Sequence, residues 1–284
     1  MSEIPRTHGG RAMNLFVVDK NQCDSCRICV EECPLRIVEF KDKAQVPTPV
    51  DGADEICVNC GHCVAVCPHG ALALRTMSPQ QCLPIQKEWS FEREEAANLL
   101  RSRRSIRTFK DKAIGRELLA DLIDVARFAP SGLNIQNVDW LVFSDREEIR
   151  QLAEITMDWI RSFAKEVPQS FLRRVVDRFV HNWDRGIDTI CWEAPHIIIA
   201  HAPKGKGETN CTIALTYLEL TALCFGLGTC WAGWANLAAN KWVPMQQFLA
   251  LPEGHTSCGA MMIGYPKYRC YRIPLRNDAR VIWR

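Results

Sequence analysis

Fifteen cysteines in a chain of 284 residues dominate the chemistry that the sequence can support. Cys23, Cys26, Cys29 and Cys33 follow the spacing C-x2-C-x2-C-x3-C and are succeeded by Pro34. Cys57, Cys60, Cys63 and Cys67 repeat it and are succeeded by Pro68. Each cysteine of the second run lies 34 residues after its counterpart, so the segment is an internal repeat. At a cysteine frequency of about 0.05, eight such matches arise by chance on the order of 10⁻¹⁰ per starting point, which calls for a chemical explanation. Three thiolates on one tight loop can cap three irons of a cubane, and the fourth cysteine of such a run serves the other cluster. This assigns Cys23, Cys26, Cys29 and Cys67 to one [4Fe-4S] cluster, and Cys57, Cys60, Cys63 and Cys33 to a second. The proline after each fourth ligand turns the chain away, since it cannot continue a helix.

Structural zinc is the competing reading. It would use two C-x2-C pairs per metal and does not call for a third cysteine at the same spacing or for the proline. Over residues 14–75, with CPHGALAL closing the second half, the segment resembles bacterial two-cluster ferredoxins. That resemblance implies a compact, pseudo-twofold, βαββαβ-like module for one-electron transfer at low potential.

These elements sit in a chain of ordinary globular composition, with 47% apolar and 24% charged residues. The net charge of +2 gives no reason to expect a nucleic-acid partner or a polybasic membrane surface. No apolar stretch of signal-peptide type follows Met1, so a reducing cytoplasm is expected and the cysteines need metal or burial to explain them. The opening MSEIPRTHGGRAMN is polar and reads as a leader before the fold begins near Asn14. The longest apolar stretch, Cys211 to Trp234, is interrupted by Glu219 and glycines, and reads as a buried helix with its following loop rather than a membrane span. Cys82, Cys191, Cys211, Cys224, Cys258 and Cys270 have no ligand spacing and are expected in the core.

Residues 76–90 contain two prolines and no periodicity, and read as a linker between the 14–75 module and a second domain over 91–284. Helices are expected over FEREEAANLLRSR, over 116–128, after Asp145 as N-cap, and over 211–228. Strands are expected over 138–144, 194–202 and 257–266. Helices and strands mixed in this order indicate an α+β domain.

Four segments of this second domain stand out in order: RSRRSIRTF (101–109), APSGLNIQN (129–137), GLGTCWAGW (226–234) and GYPKYRCYRIPLR (264–276). Arg103, Arg104, Ser105 and Arg107 offer guanidinium forks and a hydroxyl, suited to a phosphate dianion. Gly132 permits close approach of backbone to a flat cofactor, while Asn134 and Gln136 offer amides. GLGTCWAG is not a dinucleotide fingerprint, because Trp231 occupies the third glycine position. The ordered set resembles the nitroreductase family of FMN enzymes over residues 91–284. The resemblance implies that Arg103, Ser105 and Arg272 meet the FMN phosphate, with Arg269 a second candidate, and that Arg107 lies nearer the pyrimidine edge. It places the loop Pro130, Ser131, Gly132, Asn134 and Gln136 against the cofactor from the opposite subunit of a homodimer. It also sets the backbone of Trp231, Ala232 and Gly233 at the flavin ring. The usual Q-P-W ending of that loop is replaced here by Gln136-Asn137-Val138-Asp139-Trp140. Cys230 reads as a small buried residue rather than a catalytic thiol.

Residues 155–193 read as an insertion or lid in which Trp159, Phe163, Phe179, His181, Trp183 and Trp192 either line a pocket or pack. His181 is the one candidate proton donor there, and no catalytic acid–base pair is evident. The combined expectation is an FMN-dependent oxidoreductase fed by an external one-electron donor, such as ferredoxin or flavodoxin, through two [4Fe-4S] clusters. Its acceptor would be a nitroaromatic, quinone or activated alkene. Two alternatives stay open: a non-catalytic electron-transfer or redox-sensing protein, and an NAD(P)H-driven reductase with the clusters as electron exit.

Overall fold

The computed structural model describes residues 15–41, 44–86 and 91–284. The expected leader, and residues 87–90 of the expected linker, lie outside the described residues. The described residues form two compact units, those up to 86 with 133–135, and 91–132 with 136–284. Among the described residues no helix is long and apolar enough to cross a membrane.

The first unit runs β1 (Phe16–Val18), α1 (Ile28–Glu31), β2 (Val38–Glu39), β3 (Thr48–Pro49), α2 (Ala53–Ile56), α3 (His62–Ala65) and β4 (Leu72–Leu74). β1 pairs antiparallel with β4, and β2 with β3. The 34-residue repeat is visible in the backbone, because α3 is α1 displaced by that interval. Left-handed residues recur at the same interval: Ser25 and Asn59, Arg27 and Gly61, Arg36 and Gly70. A loop that must turn between closely spaced cysteines needs such residues, and only glycine adopts them without steric cost. Gly61 is doubly constrained, since a Cβ there would also lie 2.7 Å from Met77 Sδ. The core of this unit is thin, centred on Phe16, Ile37, Val38, Val64, Leu72 and Leu74. Residues 76–86 fold onto it: Met77 bridges to Leu74, and Met77 and Cys82 pack on the core. Asn134 also belongs to this unit, its amide donating to the carbonyls of Val58 and Asn59.

The second unit contains α4 (Arg93–Ser102), α5 (Arg116–Ala126), β5 (Asp139–Phe143), α6 (Arg146–Glu166), α7 (Phe171–Trp183), β6 (His196–Pro203), α8 (Glu208–Cys224), β7 (Gly228–Trp231), α9 (Gly233–Lys241), α10 (Val243–Leu249) and β8 (His255–Gly264). Its four strands form an antiparallel sheet in the order β5-β6-β8-β7. Alternation along β6 sends Ile198, Ala200 and Ala202 to one face, against α5 and α8, and Ile197 and Ile199 to the other, against α6, α9 and α10. Coverage on both faces explains why β6 reads as a continuous apolar run. Asp145 caps α6, its Oδ1 accepting from the amides of Glu147 at 2.8 Å and Glu148 at 3.0 Å.

The helix expected over 211–228 instead ends at Cys224. Gly226 takes a left-handed conformation (φ 69°), and Gly228–Trp231 then join the sheet as an edge strand beside β8. α9 and α10 carry too little amphipathic contrast to be read from the sequence. The 155–193 segment is core and not a free lid, since Trp159, Phe163, Phe179, Trp183 and Trp192 all pack in the core shared with Trp234. Cys191 and Cys211 are buried as expected, but Cys224 and Cys270 are exposed.

Candidate functional site

Two cavities in the first unit collect the eight repeat cysteines. One is lined by Cys23, Cys26, Cys29 and Cys67, the other by Cys33, Cys57, Cys60 and Cys63. Among the described residues no three of these sulfurs lie within 4.8 Å of one another. Each cavity is lined by the four cysteines that the repeat assigns to one cluster. Burial pushes the Cys63 thiol up to about 12, reinforced by Cys60, Cys33 and Cys57. Burial likewise raises Cys29, reinforced by Cys26, Cys67 and Cys23. Four thiols crowded in this way resist ionisation unless a bound cation compensates, because coordination deprotonates a thiol outright. The amide of Ala71 donates to Cys67 Sγ at 3.2 Å, a contact that favours the thiolate.

In the second unit the end of α4 delivers the arginine segment to the edge of the sheet. Ser105 bridges to Thr229 of β7, and the Ile106 amide donates to the Thr229 carbonyl at 2.8 Å. Further on, Phe109 bridges to Pro266, and the Lys110 amide donates to the Tyr265 carbonyl at 2.8 Å. Segments 101–109, 226–234 and the start of 264–276 are therefore brought together. The close approach depends on Gly228, where a Cβ would fall 2.6 Å from Ile106 Cγ1 and 2.8 Å from Pro266 Cγ.

Arg103 donates to Glu219 Oε1 at 3.0 Å, and the Trp231 indole donates to Glu219 Oε2 at 3.2 Å. Glu219 is buried in α8, so one carboxylate orients both a phosphate-candidate arginine and the tryptophan of β7. Sequence reasoning registered Glu219 only as an interruption; a lone acid in an apolar helix was the available signal. Arg104 donates through Nη1 to the Arg103 carbonyl, while its Nε is buried without a partner. An unpartnered buried donor on a guanidinium is what an anion site presents before its anion is counted. Arg107 lies over the Trp192 ring at 5.9 Å. Cys230 is buried and its thiol pushed up by that burial, in keeping with a structural residue.

The loop after α5 is tied to the first turn of α8. The Gly132 amide donates to Asn210 Oδ1 at 3.2 Å, and Asn210 Nδ2 donates to Asn137 Oδ1 at 2.8 Å. Ser131 Oγ accepts from the Gln136 amide at 3.0 Å. Gly132 has no other atom within 4 Å of its notional Cβ, and the left-handed residues are Leu133, Asn134 and Gln136. Ala232 spends its amide on the Ala260 carbonyl at 2.8 Å, and Gly233 begins α9. Pro130 is exposed. Arg269 and Arg272 lie in the exposed, irregular segment after β8. His181 is exposed on α7 and belongs to none of these groupings.

Comparison with known proteins agrees with this layout. The model of the Nitroreductase family matches residues 100–265, more than half of the chain, and that of the 4Fe-4S dicluster domain matches residues 22–71. A putative NADH dehydrogenase/NAD(P)H nitroreductase from Archaeoglobus fulgidus is 25% identical over 174 residues, covering 61% of this chain and 87% of the relative. An FMN reductase [NAD(P)H] from Bacillus subtilis is 25% identical over 189 residues, covering 63% and 69%. Among solved structures, a nitroreductase with bound FMN from Bacteroides fragilis superposes with a TM-score of 0.54 at 18% identity, covering 67% of this chain and 99% of that one. Iodotyrosine deiodinase bound to FMN and 3-iodo-L-tyrosine gives 0.53 at 21%, covering 66% and 98%. These two likenesses show a shared fold. The chain belongs to the nitroreductase family of oxidoreductases and carries a 4Fe-4S dicluster domain on its N-terminal side.

Proposed function

We propose that this protein is an FMN-dependent oxidoreductase that takes electrons through two [4Fe-4S] clusters to FMN and reduces an electrophilic acceptor, a nitroaromatic or quinone first among them. The reading is carried by one combination within a single chain: two repeat-spaced cysteine quartets, each gathered around its own cavity, and an arginine segment holding a buried Nε without a partner among the described residues. When bound, FMN supplies hydride-equivalent transfer and the clusters supply single electrons. The residues of this chain bind and orient. Arg104 offers its free Nε to the FMN phosphate, Arg103 is held in place by Glu219, and Ser105 adds a hydroxyl. Arg107 contributes positive charge that favours an anionic reduced ring. The loop 130–136 of the opposite subunit and the backbone of Trp231, Ala232 and Gly233 would form the cofactor's remaining walls.

A homodimer completes the site in this reading. Support comes from the segment after β8, whose Tyr271, Leu275, Ile282 and Trp283 are exposed without a core to enter, as expected of an arm that packs on a second copy. Arg272 would then act on the partner's phosphate. A cytoplasmic location follows from the cysteine chemistry, and a ferredoxin or flavodoxin is the proposed donor.

Anaerobic rapid mixing tests the direction of electron flow, with flavin bleaching followed after addition of reduced ferredoxin or of NADPH. Fast bleaching by ferredoxin, lost in Cys60→Ser while chemically reduced flavin still turns over, is the expected result. Fast bleaching by NADPH alone would make the clusters an exit and overturn the proposed direction.

A further inference from the structure

One cluster of potential ligands lies outside the residues used above. Asp139 opens β5, His201 lies near the end of β6, and His255 opens β8. Asp139 and His201 are register partners in the sheet. A β-bulge after Ala200 shifts the pairing of β6 with β8 so that His201 lies opposite Ser257. One ligand atom from each of Asp139, His201 and His255 falls within 4.8 Å of the others, the only such trio among the described residues. His201 is buried, His255 half-buried and Asp139 exposed. The two Nδ1 atoms face each other at 3.0 Å, and Asp139 Oδ2 lies 3.6 Å from His255 Nδ1.

Ligand atoms about 2.0–2.1 Å from a tetrahedral zinc are about 3.3–3.4 Å apart, so 3.0 and 3.6 Å bracket the separation that a shared ion requires. Two imidazoles and one carboxylate favour zinc and its transition-metal neighbours over calcium or magnesium, which prefer all-oxygen sites. The strand carrying His255 is also held from outside. Asn240 of α9 donates to the Ser257 carbonyl at 2.9 Å, and Ser257 Oγ bonds Asn236 Oδ1 at 2.7 Å. His255 borders a cavity of about 350 Å³ with Asn240 and Lys204, which gives solvent access to that side.

We propose that Asp139, His201 and His255 bind one divalent ion of the zinc class, which ties together β5, β6 and β8 and leaves its fourth position to water. The alternative is a metal-free histidine pair in which one Nδ1–H donates to the other ring.

The test is calorimetric titration of the cluster- and flavin-loaded protein with zinc sulfate, with cluster absorbance recorded throughout. One equivalent is expected to bind without loss of cluster absorbance, and His255→Gln and Asp139→Asn are each expected to weaken it at least tenfold. Asp139 is exposed, so its variant tests the site even if His255→Gln folds poorly. Absence of saturable binding tighter than about 0.1 mM would overturn the assignment. So would full retention of binding in Asp139→Asn, which would place the zinc on other ligands such as the cysteines.

Discussion

Replacing Arg104 by methionine separates a ligand-binding arginine from a structural one. Arg104 makes one hydrogen bond within the chain, from Nη1 to the Arg103 carbonyl, and its buried Nε makes none. An unsatisfied buried donor costs about 1–3 kcal/mol, while the bond lost from Nη1 contributes about 0.5–1.5 kcal/mol. Methionine retains the packing of the aliphatic stem. The flavin-free variant is therefore expected to be as stable as the parent, or more stable by up to about 2 kcal/mol. Loss of a charge-assisted bond to phosphate costs about 1.5–3 kcal/mol, which weakens FMN binding about 10- to 150-fold. Quenching of FMN fluorescence on titration with flavin-free protein measures the affinity, and thermal unfolding of the same sample measures stability. A variant with a lower Tm and unchanged FMN affinity would refute the anion-site reading and make Arg104 a structural residue.

Glu219→Gln removes the charge that holds Arg103. The arginine keeps some access to solvent, so the loss is expected at about 1–3 kcal/mol rather than the full cost of an isolated buried charge, read as a fall in urea midpoint together with weaker FMN binding. Gly228→Ala puts a methyl into Ile106 and Pro266 and is expected to cost about 1–3 kcal/mol, with FMN affinity falling as the arginine segment is displaced. His196 is buried, accepts from the Ile114 amide at 2.7 Å through Nε2 and faces Ser144 Oγ at 3.0 Å, and burial holds its imidazole below the ordinary range. The unfolded chain therefore takes up a proton near pH 6.5 that the folded chain refuses. The associated stability is present above that pH and is lost as pH falls toward the depressed folded value. Urea midpoints between pH 5 and 8 should show this slope in the parent and a flatter one in His196→Asn, and equal slopes would exclude His196 as the source. If the proposed clusters hold the first unit together, treatment with an iron chelator under oxidising conditions is expected to abolish its protease resistance, because its apolar core is small.

The grouping of the eight repeat cysteines around two cavities was legible because the pattern is local. Fixed spacing and a proline specify a loop, and the 34-residue interval reveals the second copy. The three strands β5, β6 and β8 were legible from apolar runs bounded by turn residues, and α6 from its Asp145 cap. β7 was not, because Gly-Thr-Cys-Trp follows an apolar helix without a polar break, and its strand character comes from pairing with β8, a contact remote in sequence. The arginine segment was identified by charge, yet the division of labour within it was hidden. Only the fold shows that Arg103 is committed to Glu219 while Arg104 keeps a free donor. Gly132 was credited with close approach, whereas left-handed backbone falls on its neighbours Leu133 and Asn134, since a φ angle is set by where the loop is anchored.

Equivalent left-handed positions of the repeat are filled by Ser25 in one half and Asn59 in the other, by Arg27 and Gly61, and by Arg36 and Gly70. Beyond the cysteines and the proline, side-chain identity at these positions is therefore not what the two halves share; they share a backbone path. At each non-glycine position that path costs about 1–2 kcal/mol. Four such positions together cost about 4–8 kcal/mol, and strain of this kind persists only where the surroundings over-determine it. In the proposed holoprotein, thiolate bonds to iron would supply such over-determination. The same cysteines would then also hold the strained loops in place, and a substitution such as Cys60→Ser is expected to disturb the fold of its half as well as its redox chemistry.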